Sequence, residues 1–141
     1  MLVHQFLEGS AERQPEKLAV IHGNTRATYA EADQVANRFA NELIAKGIPR
    51  GNRMAILLEN SLSHITAYYV ILKTGGITVP LFPSTTKEEL TYTLSQCEAK
   101  AIICNDRPTD LLEKCLPKLK DLFIVTHKGR KTAFASGAQP E

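Results

Sequence analysis

The chain of 141 residues predicts an α/β fold, a parallel sheet with helices on both faces, preceded by an N-terminal helix and a β-hairpin. Three observations predict it. Short apolar runs, MAILLEN, ITVPL, AIIC and LFIVT, alternate with stretches of helical periodicity, which is the pattern of βαβ crossovers. The runs are apolar throughout rather than alternating, as strands covered on both faces are. Helix start and stop signals fall between them at connection lengths ordinary for such units.

In order, Leu2, Val3, Phe6 and Leu7 recur at helical spacing and predict an amphipathic, lid-like helix ending near Gln14, ahead of Pro15. LAVIH (Leu18 to His22) and TRAT (Thr25 to Thr28), separated by Gly23-Asn24, predict a hairpin whose tight turn needs positive φ. In TYAE, Thr28 and Glu31 predict a capping box, each side chain satisfying the other's orphan amide. The helix it opens at Tyr29 carries the stripe Ala32, Val35, Ala36, Phe39, Ala40, Leu43, Ile44 and stops at Gly47, with Ile48 and Pro49 following. That is a C-cap glycine, an apolar residue closing the last turn, and a proline that cannot continue the helix.

Met54 to Asn60 then predicts a buried strand. Ser61 to Thr74 predicts a helix apolar almost all round, hence sandwiched, followed by the ITVPL strand, which Pro80 predicts to leave the sheet there. A second capping box, Thr86 with Glu89, opens a helix to about Glu98. Ala101 to Cys104 is a strand, Leu111 to Leu119 a short helix, Leu122 to Thr126 a last strand, and the closing KGRKTAFASGAQPE a loop or tail. The expected division is one α/β subdomain over 1–128 and a loop or tail over 129–141.

Composition narrows function by exclusion. Apolar residues are 43% and charged residues 23% of the chain, with 17 basic and 15 acidic residues giving a formal charge of +2. This balance lacks the electrostatic footprint of a nucleic-acid binder, and no apolar run is long enough for a membrane span. HKGRK (His127 to Lys131) reads as a solvated basic loop, with a phosphate contact as the alternative. Met1 onward shows no secretory leader, so the expected location is the cytoplasm. Cys97, Cys104 and Cys115 fit neither a disulfide framework nor paired metal ligands, and His4, His22, His64 and His127 include no i, i+4 pair; buried thiols and no metal site are expected.

Gly75-Gly76 poses the functional question. A phosphate loop puts helix N-terminal amides against the anion, whereas these glycines follow a helix and precede a strand. They therefore predict a corner, Gly75 as the left-handed cap and Gly76 allowing close passage of the backbone. No nucleophile elbow, Cys and His pair or partitioned carboxylates stand out. Glu12, Glu31, Glu59, Glu88, Glu89 and Glu98 read as caps and solvated faces, and no catalytic residue is assigned.

KLAVIHGNTRATYAEADQVANRFANELIAKGIPRGNRMAILLENS and AYYVILKTGGITVPLFPSTTKEELTYTLSQCEAKAIICND closely resemble the N-terminal region of the AMP-forming acyl-activating superfamily. Its members include acyl-CoA synthetases, adenylation domains of peptide synthetases and luciferases. ATYAEA is similar to the first core motif, with Ala27 and Ala32 where the family has leucines; LKTGGITVPLFP is similar to the second. The resemblance runs from about His4 to Asp106, and less clearly to Thr126. It implies a parent ligase, tied to fatty acid metabolism, that uses ATP and Mg²⁺ to make an acyl-adenylate and passes the acyl group to CoA.

The family's phosphate loop, adenine and ribose segments and adenylation lysine follow this region. The resemblance thus implies an N-terminal scaffold fragment, inactive and without cofactor on its own, whose partner is the remainder of the parent. Self-association through an exposed apolar face or sheet edge is expected of it. Phe82, Pro83 and Ser84, after the Val-Pro strand, are implied to lie near the pantetheine channel; the plainer reading is a turn entering a helix cap. Peptide-synthetase domains commonly carry Asp where this chain has Phe82, which tilts the reading to an acyl-CoA ligase. An adenylation-domain fragment and a stand-alone non-catalytic binding module remain alternatives.

Overall fold

The computed structural model describes residues 1–59, 61–104, 123–126 and 132–134. The chain divides into two interleaved compact units, one of Met1–Gly51 with Asn60–Gly76 and one of Asn52–Glu59 with Ile77–Glu141.

The first unit holds α1 (His4–Arg13), β1 (Leu18–His22), β2 (Thr25–Thr28), α2 (Tyr29–Ala45) and α3 (Leu62–Lys73). β1 and β2 form an antiparallel hairpin with His22 opposite Thr25 and an irregularity at Ala19. Its turn takes positive φ at Gly23 alone (+60°), the pattern of a II′ connection. Thr28 ends β2 and caps α2, its Oγ1 accepting from Glu31 N at 3.1 Å. The predicted box is only half formed, since Thr28's hydroxyl caps the helix and Glu31 makes no matching bond back to the Thr28 amide.

Burial on α2 centres on Ala32, Ala36, Ala40 and Leu43; Val35 and Ile44, at the stripe's margins, are exposed. α1 and α3 both pack on α2. On α3, Ala67, Val70 and Ile71 are buried while Ile65 is exposed, so this helix is largely but not wholly enclosed. On α1 only Leu7 is buried. Leu2, Val3 and Phe6, expected on the same apolar face, are about half exposed.

The second unit holds β3 (Arg53–Leu57), β4 (Ile77–Pro80), α4 (Lys87–Gln96), β5 (Ala101–Cys104), β6 (Phe123–Thr126) and β7 (Thr132–Phe134). They form one sheet in the order β4-β3-β5-β6-β7. β3 pairs in parallel with β4 and β5, and β5 in parallel with β6; β7 runs antiparallel to β6. β7 lies in the stretch expected to be a loop or tail, where three residues of TAF carry too short a pattern to signal a strand. The helix expected at Leu111 to Leu119 lies outside the described residues, as does Cys115.

Pro80 ends β4 at a sheet edge, where a missing amide costs no ladder bond. α4 seats Leu90 and Leu94 on one sheet face, against Ala55, Leu57, Ile102 and Cys104. Each leucine contributes roughly 1.5 to 3 kcal/mol by leaving water. Met54, Ile56, Ala101 and Ile103, on the other face, are buried too, which explains the unbroken apolar runs. The second capping box is complete: Thr86 Oγ1 accepts from Glu89 N at 3.2 Å and Glu89 Oε2 accepts from Thr86 N at 3.0 Å.

Three helices end in the same way. Gly47 N donates to Ile44 O and Ile48 N to Leu43 O; Gly75 N donates to Leu72 O and Gly76 N to Ile71 O; Glu98 N donates to Ser95 O and Ala99 N to Leu94 O. These are Schellman motifs, and the left-handed residue of each is Gly47 (φ +87°), Gly75 (φ +79°) and Glu98 (φ +52°). Glu98 does with a Cβ what the others do without one. Being exposed, it gives up little packing, so Glu98→Gly is expected to stabilise the chain by about 1 kcal/mol, read as a higher urea midpoint. No change or a loss would mean that the left-handed turn carries no strain.

Candidate functional site

Phe82, Pro83 and Ser84 lie at the carboxyl end of β4. Leu81 N still donates to Ile56 O at 2.9 Å, and then Thr85 N donates to Phe82 O at 3.0 Å, closing a β-turn with Pro83 in the position whose φ proline presets. Phe82 is 81% exposed, and Pro83 and Ser84 are exposed. The turn feeds directly into the Thr86 cap. Carboxyl ends of parallel strands are where ligands gather in such sheets. The chain order reverses one strand further in, since β3 leads to β4 on one side and β5 to β6 on the other.

The corner at Gly75-Gly76 has no amide to offer an anion. Both amides are spent on the last turn of α3, and Gly75 O accepts from Gly51 N at 2.9 Å. A Cβ on Gly75 would stand 2.6 Å from Arg50 Cγ. The close approach expected at this corner is thus made at Gly75, where the Arg50 stem crosses it.

Lys73, the lysine of LKTGGITVPLFP, has partners that its place in that motif does not reveal. Its side chain is 5% exposed, with Nζ 2.8 Å from Glu8 Oε1 and 2.9 Å from Asp33 Oδ1, so one ammonium joins α1, α2 and α3. Asp33 Oδ2 also accepts from Asn37 Nδ2 at 3.3 Å. Such a cluster carries a desolvation cost that only its internal pairing offsets. Beside it lies a groove of about 660 Å³ lined by Leu2, Val3, His4, Ile44, Ile48, Arg50 and Leu72 to Gly76.

His4, His22 and His64 do not converge, and His127 lies outside the described residues. His64 N donates to Ser61 Oγ at 3.2 Å as part of the α3 cap, and its Nε2 is buried without a partner. Among the described residues no three of His, Cys, Asp or Glu gather as metal ligands, and no helix is long and apolar enough to cross a membrane. Cys97 is half-buried and Cys104 buried, and neither is in a disulfide.

The profile of the AMP-binding enzyme family matches residues 7–139. The chain belongs to this family. Among AMP-binding relatives, it is similar to the medium-chain fatty-acid–CoA ligase of Escherichia coli (strain K12), 33% identical over 144 residues, 95% of this chain and 25% of the ligase. It is also similar to a linear gramicidin synthase polypeptide of Brevibacillus parabrevis, 36% identical over 106 residues, 75% of this chain and 2% of the synthase polypeptide. Among solved structures, the anthranilate CoA ligase AuaEII in complex with anthranoyl-AMP superposes with a TM-score of 0.86 at 25% identity, over 92% of this chain and 25% of that one. The chain thus spans about a quarter or less of these AMP-binding proteins. The α/β architecture expected from the sequence is that of their matched portion.

Proposed function

We propose that this chain is the N-terminal scaffold of an ATP-dependent, AMP-forming acyl-CoA ligase. In the parent, a carboxylate attacks the α-phosphate of ATP, releasing pyrophosphate, and the thiol of CoA then displaces AMP from the acyl-adenylate. The observation that carries this reading is the match to the medium-chain ligase along 95% of the chain. ATP, Mg²⁺ and CoA belong to the parent. The chain alone is inactive, a reading supported by the Gly75-Gly76 corner, whose amides are already engaged.

Phe82, Pro83 and Ser84 form a lip of the pantetheine channel, supported by their exposure at a strand's carboxyl end. The partner is the remainder of the ligase, in the cytoplasm, and residues 1–128 act as its α/β scaffold. Without that partner the exposed Leu2, Val3 and Phe6 favour self-association. The second reading, an adenylation-domain scaffold of a peptide synthetase, is favoured by the 36% identity to the gramicidin synthase polypeptide.

The test is calorimetric titration of the 141-residue chain with ATP and Mg²⁺, alongside pyrophosphate exchange with medium-chain fatty acids and with amino acids. Neither binding nor exchange is expected. Exchange with a fatty acid would overturn the scaffold reading; exchange with an amino acid would overturn the ligase reading as well.

A further inference from the structure

The segment following α1 is fastened more firmly than α1 itself. Gln14 N closes the helix on Ser10 O at 2.8 Å, and then Pro15 O accepts from Ala30 N at 3.1 Å and Lys17 O from Tyr29 N at 3.0 Å. Residues 15–17 are thereby pinned to the first turn of α2, with Lys17 N also donating to Gln14 O at 3.1 Å, and the pivot falls at the φ and ψ of Gln14, whose backbone (φ −140°, ψ 59°) is no longer helical. Beyond the pivot, α1 buries one side chain, Leu7, and makes the ion pair of Glu8 with Lys73 at 2.8 Å. Leu2, Val3 and Phe6 add only partial cover, being 54%, 49% and 58% exposed.

We propose that α1 is a strap latched by the Glu8–Lys73 ion pair, which swings out about Gln14 while α2 and α3 stay folded. Two features make this opening local. Lys73 keeps Asp33 Oδ1 at 2.9 Å when Glu8 leaves, so the ammonium exchanges one carboxylate for water and is never an unpaired buried charge. Glu8, with its side chain 40% exposed, is already partly hydrated and its pair is open to screening by salt. Opening removes Leu2, Val3 and His4 from one wall of the groove and uncovers Lys73 and Thr74 at the end of α3. Elements with little buried apolar contact open at lower free energy than the core, and α1 has that character.

The test is hydrogen exchange by mass spectrometry on the full chain, comparing peptides that cover residues 4–13 and 29–45 at low salt and at 0.5 M NaCl. High salt is expected to speed exchange in 4–13 about fivefold or more while 29–45 is unchanged, and Glu8→Gln to do the same at low salt with no further salt effect. The proposal is overturned if 4–13 and 29–45 respond together, if 4–13 responds to neither change, or if Glu8→Gln fails to fold.

Discussion

Lys73→Met is expected to destabilise the chain by about 3 kcal/mol, seen as a lower urea midpoint at unchanged slope. Methionine fills much of the volume of the lysine stem, so the loss reports charge rather than a cavity. Without the ammonium, Asp33, 18% exposed, and the Glu8 carboxylate face each other with no cation between them. Asp33→Asn in the Lys73→Met background is expected to restore about half of the loss, because it removes the more buried orphan. The coupling between the two positions should reach about 1 kcal/mol or more in a double-mutant cycle. A Lys73→Met variant within about 0.5 kcal/mol of the parent chain would place the cluster with exposed ion pairs, which contribute little.

Gly75→Ala is expected to cost about 2 to 3 kcal/mol, from two causes that can be separated. A left-handed backbone at φ +79° costs any L side chain roughly 1 to 2 kcal/mol. The added methyl also meets Arg50 Cγ at 2.6 Å, with Arg50 Nε at 3.0 Å and Cδ at 3.1 Å. The nearest of these, Cγ, belongs to the stem, so the arginine cannot step aside merely by moving its tip. Arg50→Ala alone should change stability little, and in the Gly75→Ala background it should recover about 1 kcal/mol. Full recovery would show that the steric overlap, not the backbone, dictates glycine here.

What the sequence disclosed was local. Thr28 and Thr86 announce helix starts because a hydroxyl three residues from an amide is a relation within one turn. Gly47 and Gly75 announce helix ends for the same reason, and both hold positive φ. Glu98 escaped notice because nothing in its type marks a left-handed position. The Lys73 cluster escaped because Glu8, Asp33 and Lys73 come from three helices, and no spacing along the chain relates them. Val35 and Ile44 were expected in the α2 core since periodicity identifies an apolar stripe but not its width. The candidate site was least legible. Phe82 to Ser84 drew attention through resemblance, while their geometry is that of an exposed turn in front of a helix cap.

The interleaving of the two units bears on how the polypeptide is made. Residues 52–59 belong to the second unit although the first is not finished until Gly76. On the ribosome, β3 is therefore synthesised before both strands that flank it, β4 and β5. The helices and hairpin of the first unit have all their residues by Gly76, whereas β3 lacks one or both of its neighbours until Cys104 has been added. Nascent chains between those two points hold Met54 to Leu57 without both of its partner strands, and incomplete sheets of this kind are what chaperones shield once they emerge.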